Sequence, residues 1–308
     1  MNAVPSTGDA GLYERLTEVA EASFAQHVAN AKPWFPMRPI AFGGVVGAKR
    51  CASTDEGALE SAVVVNLLTE DNLPAYHLAL WRTFGDRGVW GEWLRQWTAE
   101  EGRHAIALRS YATESGLVDV FLLERLRMAQ VRNGFDMSFL HGVPDALVYL
   151  TLQELATRTA HRNTGAAIGD PTGAALMTRI SMDENLHYVF YRDIGSAALE
   201  FAPSQMIEAL AGVVATFAMP GATIPGFRER ARRIAKAGIY NLDVHLREVL
   251  TPLLLHRWKI LDVRGLSPAA ERARDMLVAF LARIEAAAAR QTSGRRRRSF
   301  AVGSTEGG

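Results

Sequence analysis

A single cysteine, Cys51, stands in a sequence of 308 residues. That excludes an internal disulfide and any thiolate metal cluster held by this chain alone. Neither sign of charge is in surplus, with 34 Lys and Arg against 33 Asp and Glu, so there is no global field with which to hold nucleic acid. No apolar run reaches the roughly 18–20 residues of a membrane-spanning helix; the longest candidates lie at 143–152 and 211–219. Residues 1–9 lack the basic-then-apolar order of a secretory signal. The expectation is a soluble, cytoplasmic protein with no transmembrane segment. Alternating strand patterns are missing as well.

What is present is helix. Apolar residues make up 48% of the sequence and charged residues 22%, ordinary values for a chain that buries a sizeable core. The patterning predicts helices over 12–29, 55–84, 89–114, 118–133, 144–168, 172–199, 203–217, 225–237, 243–255 and 267–289. Turn residues separate them, as at 85–88, 115–116, 169–171 and 219–221. The stretches 32–39 and 43–54 read as loop. Asp55 and Ser267 are expected N-caps, with Pro268 at the first helical position. Long helices without strands give an all-α bundle, expected as one domain over 1–290. The segment 291–308, with Arg295 to Arg298 followed by Gly, Ser and Thr, has too little apolar material to pack and is expected to be a disordered tail.

The informative charges lie inside the apolar stripes. In one helix the stripe runs Trp90, Trp93, Leu94, Trp97, Glu101, His104, Leu108, Tyr111. In another it runs Leu176, Ile180, Glu184, His187, Tyr191, Ile194. Steps of three and four place each set on one face, and each Glu-x-x-His puts both side chains about one turn apart. Two partner helices add one acid each, through Val63, Leu67, Glu70, Pro74, His77, Trp81 and through Leu147, Leu150, Thr151, Glu154, Thr157, His161. Glu101 follows Glu70 by 31 residues and Glu184 follows Glu154 by 30. In an antiparallel hairpin such a spacing returns the chain to the same height, roughly 20 Å from the turn. Two hairpins, 55–114 and 144–199, would then bring four carboxylates and two imidazoles to one level.

Four such carboxylates repel one another and lose hydration, at several kcal/mol per charge, or take up protons. Two divalent cations would balance them. Oxygen and nitrogen donors without sulfur suit iron or manganese better than structural zinc. One Glu from each of two helices and Glu-x-x-His from each of two others is the ligand pattern of ferritin-like di-metal carboxylate bundles. Pro74, four residues after Glu70, removes an amide that the Glu70 carbonyl would accept from, which gives either a distortion beside the site or a simple kink. Metal-bound His usually donates its other ring nitrogen to a carboxylate; Asp183 is placed to orient His104 and Glu100 to orient His187. His77 and His161, one to two turns beyond Glu70 and Glu154, read as core in preference to partners of the ligands; Trp90, Trp93 and Trp97 read as core, and His27, His141, His245 and His256 are given no metal role.

These residues resemble the soluble acyl-[acyl-carrier-protein] desaturases of the plant plastid and actinobacterial type. The resembling segments are Leu68-Thr69-Glu70-Asp71-Asn72-Leu73-Pro74-Ala75-Tyr76, Trp97-Thr98-Ala99-Glu100-Glu101-Gly102-Arg103-His104, Gln153-Glu154-Leu155-Ala156-Thr157 and Met182-Asp183-Glu184-Asn185-Leu186-His187. Met219-Pro220 and Arg257-Trp258-Lys259 match outside them. Gly102 stands where the family has Asn and Leu155 where it has Arg.

The resemblance implies a ferritin-like di-iron bundle with additional C-terminal helices. Two irons would be ligated by Glu70, Glu101, His104, Glu154, Glu184 and His187. Thr157 would lie near the oxygen-binding side, and Trp34 and Asp183 on a proposed electron route. It implies oxygen-dependent insertion of a double bond into an acyl chain on acyl carrier protein, electrons from a ferredoxin-type donor, and a homodimer. Arg228, Arg230, Arg232, Arg233 and Lys236 are candidates to dock an acidic carrier protein, or a solvated helix face. The alternatives are a related di-iron oxygenase, either an N-oxygenase or a tailoring enzyme on a carrier-bound specialised metabolite, and a non-catalytic ferritin-like iron protein.

Overall fold

The computed structural model describes residues 10–36, 55–136 and 140–303, the last thirteen as backbone only. Eleven α-helices follow in chain order: α1 (Ala10–Asn30), α2 (Glu56–Glu70), α3 (Leu73–Phe84), α4 (Gly88–Glu114), α5 (Val120–Asn133), α6 (Val143–Ile168), α7 (Pro171–Phe201), α8 (Pro203–Thr216), α9 (Phe227–Ala237), α10 (Leu242–His245) and α11 (Pro268–Gly303). A 3-10 turn, Pro220–Thr223, precedes α9, and a π-helix, Leu246–Arg257, follows α10. No strand occurs among the described residues. The fold is the expected all-α bundle with extra C-terminal helices. The expected loop at 43–54 lies outside the described residues.

The starts and stops have local causes. Asp55 accepts from the amides of Gly57 and Ala58, Asp170 from those of Thr172 and Gly173 with Pro171 beside it, and the Ser267 hydroxyl from Ala270 N at 3.1 Å. Each satisfies amides that a helix start leaves unpaired.

Two expectations are corrected. The helix expected over 55–84 is two: the chain breaks at Asp71 and Asn72, where Pro74 has no N–H to extend the ladder. Both pieces still pack on α4 as one broken rod, but the stripe ends at Glu70. Pro74 is exposed, His77 half-buried and Trp81 37% exposed. Second, residues 203–223 are long and apolar enough to span a membrane by composition, contrary to the count of apolar runs. They are instead α8 and the 3-10 turn, with Met206, Ile207, Leu210, Val213 and Val214 in the core. The helical backbone of α11 runs to Gly303.

Two apolar clusters fill the bundle. On α4 the first contains Trp90, Trp93 and Trp97 and the second Ala107, Leu108 and Tyr111. On α7 the order is reversed, with Leu176 and Ile180 in the second cluster and Phe190 and Tyr191 in the first. The polar residues of interest occupy the layer between. The C-terminal region is fixed to this bundle by Trp258, 5% exposed, whose ring lies over Gly195 of α7. A Cβ at Gly195 would come within 2.5 Å of that ring. Gly195→Val is therefore expected to cost about 2 kcal/mol or more through overpacking. An unchanged urea midpoint would contradict this docking.

Candidate metal centre

Glu101 and His104 come from α4, Glu184 and His187 from α7, Glu154 from α6 and Glu70 from the last residue of α2. All six are 5% exposed or less. The structure brings them together as two overlapping groups, Glu70–Glu101–His104–Glu184 and Glu101–Glu154–Glu184–His187, whose donor atoms lie within 4.8 Å of one another in each group. Glu101 and Glu184 belong to both. The Nδ1 of His104 is 3.4 Å from Glu101 Oε2, 3.2 Å from Glu184 Oε1 and 3.9 Å from Glu70 Oε2. The Nδ1 of His187 is 2.9 Å from Glu101 Oε1, 3.9 Å from Glu184 Oε2 and 3.8 Å from Glu154 Oε2. Each shared carboxylate thus offers one oxygen to each imidazole, and each half has a carboxylate of its own.

The inward atoms lack hydrogen-bond partners. Glu101 Oε1, Glu154 Oε2, both Glu184 oxygens and both Nδ1 atoms are buried and unsatisfied. Buried polar atoms are seldom left so, and six converging on one layer with no sulfur among them is the donor set of a two-cation carboxylate site. These residues fit a pair of divalent metals.

The outward atoms are all held. His187 Nε2 lies 2.9 Å from Glu100 Oε2 and His104 Nε2 3.5 Å from Asp183 Oδ2, the pairing expected from the sequence. Trp97 donates to Glu154 Oε1 at 3.1 Å, and His161 Nε2 lies 3.0 Å from Glu70 Oε1. Spacing alone makes Trp97 core, and for His161 prefers core over a place beside a ligand, so it misses the first contact and underweights the second. The signal is that a polar atom on a wholly buried stripe needs a partner. His77 is not part of the centre; its Nδ1 pairs with the Thr98 hydroxyl at 2.8 Å. His27, given no metal role by its place in the sequence, has its Nε2 2.9 Å from Glu100.

The other site candidates fall on two sides. Trp34, half-buried, donates to Asp183 Oδ2 at 2.7 Å, and its ring lies 6.4 Å from that of His104. Arg179 donates to Asp183 Oδ1 at 2.6 Å. Thr157, one turn beyond Glu154, donates to Gln153 O at 2.8 Å. With Glu70 it lines a small, mainly apolar cleft of about 110 Å³ between α2, α6 and α9, which Ala62, Ala160, Phe227 and Ile234 also face.

Without metal the layer keeps its charge in check with protons. Burial works against charge on both imidazoles, but their contacts with Asp183 and Glu100, and then with Glu101, raise both pKa values well above 6.5. Burial and then the charge of Glu101 raise Glu184 well above the carboxylate range. Glu101, although buried, is pulled down by His104 and His187. Metal must displace the protons on His104, His187 and Glu184. Apo protein is therefore expected to release protons on anaerobic loading with a divalent metal, and to bind it more tightly as pH rises from about 6 toward 8. Potentiometric titration in weak buffer checks this, and loading without proton release would contradict it.

Comparison with known proteins agrees with this geometry. A family model described as fatty acid desaturase matches residues 48–303. The Mycobacterium tuberculosis protein named acyl-[acyl-carrier-protein] desaturase DesA1 is 38% identical over 295 residues, covering 91% of this chain and 87% of its own. The Arabidopsis thaliana stearoyl-[acyl-carrier-protein] 9-desaturase 6, chloroplastic, is 29% identical over 239 residues, 72% of this chain and 61% of its own. The X-ray structure of the M. tuberculosis H37Rv protein named acyl-ACP desaturase DesA2 superposes with a TM-score of 0.64 at 25% identity, covering 85% of this chain and 99% of that one. With a shared fold, a matching family model and a 38% identical relative, the chain belongs to the acyl-[acyl-carrier-protein] desaturase family.

Proposed function

We propose that this protein inserts a double bond into an acyl chain carried as a thioester on acyl carrier protein, using a di-iron centre, O2 and two electrons from a ferredoxin-type donor. The observation that carries the reading is the apolar cleft ending on Glu70 and Thr157, beside the two groups of buried carboxylates and imidazoles. The balance is –CH2–CH2– plus O2, two electrons and two protons giving –CH=CH– and two waters. An unactivated C–H bond has no acidic proton for a general base, so bound iron supplies the oxidising power that no side chain has.

The chain's own residues supply the rest. Glu70, Glu101, His104, Glu154, Glu184 and His187 hold the irons, and Asp183 and Glu100 fix the two imidazoles. The cleft walls exclude water and present one segment of the acyl chain to the centre, since position selects which carbons react. Thr157, where the cleft meets the Glu70 side, would pass a proton by turning its hydroxyl from Gln153 O toward the cleft. The rim of the cleft is α9, which exposes Arg228, Arg232, Arg233 and Lys236. That basic face complements an acidic carrier protein.

A different face serves the electrons. A surface depression of about 1070 Å³ is lined by Lys32, Arg158, Arg162, Arg179, Met182 and Asp183, among others. Its cations suit an acidic donor, and from its floor Asp183 leads to Trp34 and His104. Carrier and donor would then approach by separate surfaces.

Iron-loaded protein with a panel of acyl-carrier-protein thioesters, O2 and a ferredoxin system is expected to yield acyl products two mass units lighter, read by mass spectrometry. Hydroxylated or N-oxidised products alone, or no oxygen consumption, would contradict desaturation. Narrowing the cleft with Ala231→Phe is expected to lower kcat/KM for long acyl chains about tenfold or more while leaving iron content unchanged. Unaltered kinetics would place the acyl chain elsewhere.

A further inference from the structure

The two halves of the centre are supported differently. In the half built on Glu154 and His187, Glu100 stands 2.9 Å from His187 Nε2 through its Oε2. The same oxygen is 2.9 Å from Nε2 of His27, which α1 contributes. Its other oxygen accepts from Gln96 at 2.6 Å and faces Arg103 at 3.4 Å. In the half built on Glu70 and His104, Asp183 is 3.5 Å from the imidazole, and its oxygens are committed to Trp34 at 2.7 Å and Arg179 at 2.6 Å.

His27 is a buried polar residue. It is 4% exposed, on a stripe otherwise made of Leu12, Leu16 and Ala20. Its ring stands edge-on to Trp93 at 4.9 Å and lies nearly parallel to His187 at 5.8 Å. A carboxylate oxygen only accepts, so both imidazoles must present N–H to Glu100 Oε2. That fixes a proton on Nε2 of His187 and leaves Nδ1 as the atom that faces the centre, 2.9 Å from Glu101 Oε1. A carboxylate so held raises the basicity of the ligand it supports.

We propose that His27 is a positioning residue of the metal centre. By pinning Glu100 to His187 it makes the position served by Glu154 and His187 the tighter of the two, and so the first to fill. This rests on the metal reading above, and its test needs no turnover.

Apo protein is titrated anaerobically with Co(II), following the visible bands and the bound metal. Wild type is expected to take up two equivalents in two steps, the tighter lost in Glu154→Gln and the weaker in Glu70→Gln. His27→Phe, which keeps a ring but removes the N–H, should weaken the tighter step about 10- to 100-fold and leave the other within about twofold. His27→Gln, which keeps a donor at the same reach, should restore most of the loss, an outcome a packing role would not produce. If His27→Phe does not fold, Glu100→Gln must weaken the same step. Unchanged steps in His27→Phe, equal weakening of both, or no rescue by Gln would overturn the proposal alone. Wild type that binds no Co(II) would overturn the metal reading with it.

Discussion

Four carboxylates share one dry layer of the bundle, and that repulsion constrains the rest of the structure. Glu70, Glu101, Glu154 and Glu184 are each 5% exposed or less, at a desolvation penalty of several kcal/mol per charge. Protons on Glu184 and the two imidazoles relieve it in the bare protein. A pair of divalent cations relieves it fully, satisfying the same atoms that lack hydrogen-bond partners. The layer is thus poorly suited to being empty and well suited to metal.

The scaffold keeps that layer from collapsing or hydrating. Apolar clusters lie above and below it, and α4, α6 and α7 run through the bundle beside them. Every inward ligand has its outward atom, or a neighbouring carboxylate, tied to another helix, as in Trp97 to Glu154 and His161 to Glu70. The two halves have the same ligands but different supporting partners. Asp183 on one side is held by Trp34 and Arg179, whereas Glu100 on the other is held by the buried His27 and by Gln96.

Much of this is legible in the order of residues alone. The Glu-x-x-His repeat and the spacings of 31 and 30 residues specify which six side chains meet, because helical geometry turns spacing into position. The pairing of Asp183 with His104 and of Glu100 with His187 follows from the same pseudo-symmetry. The break after Glu70 is only half legible: Pro74 announces a disturbance, but periodicity carries the stripe on to Trp81. His27 escapes notice because α1 lies outside the repeated hairpins, and a lone histidine on an apolar stripe names no partner. The cleft cannot be read from spacing at all, since α9 and the 3-10 turn reach α2 only through tertiary packing.

The central claim is that these six residues hold two metal ions in one shared cage. Anaerobic ferrous loading with Mössbauer spectroscopy and iron analysis tests it most directly. Two irons per chain are expected in two distinguishable oxygen- and nitrogen-rich environments, with both lost together when the shared Glu101 or Glu184 is replaced by Ala. A single iron, or two irons that persist in both variants, would contradict it.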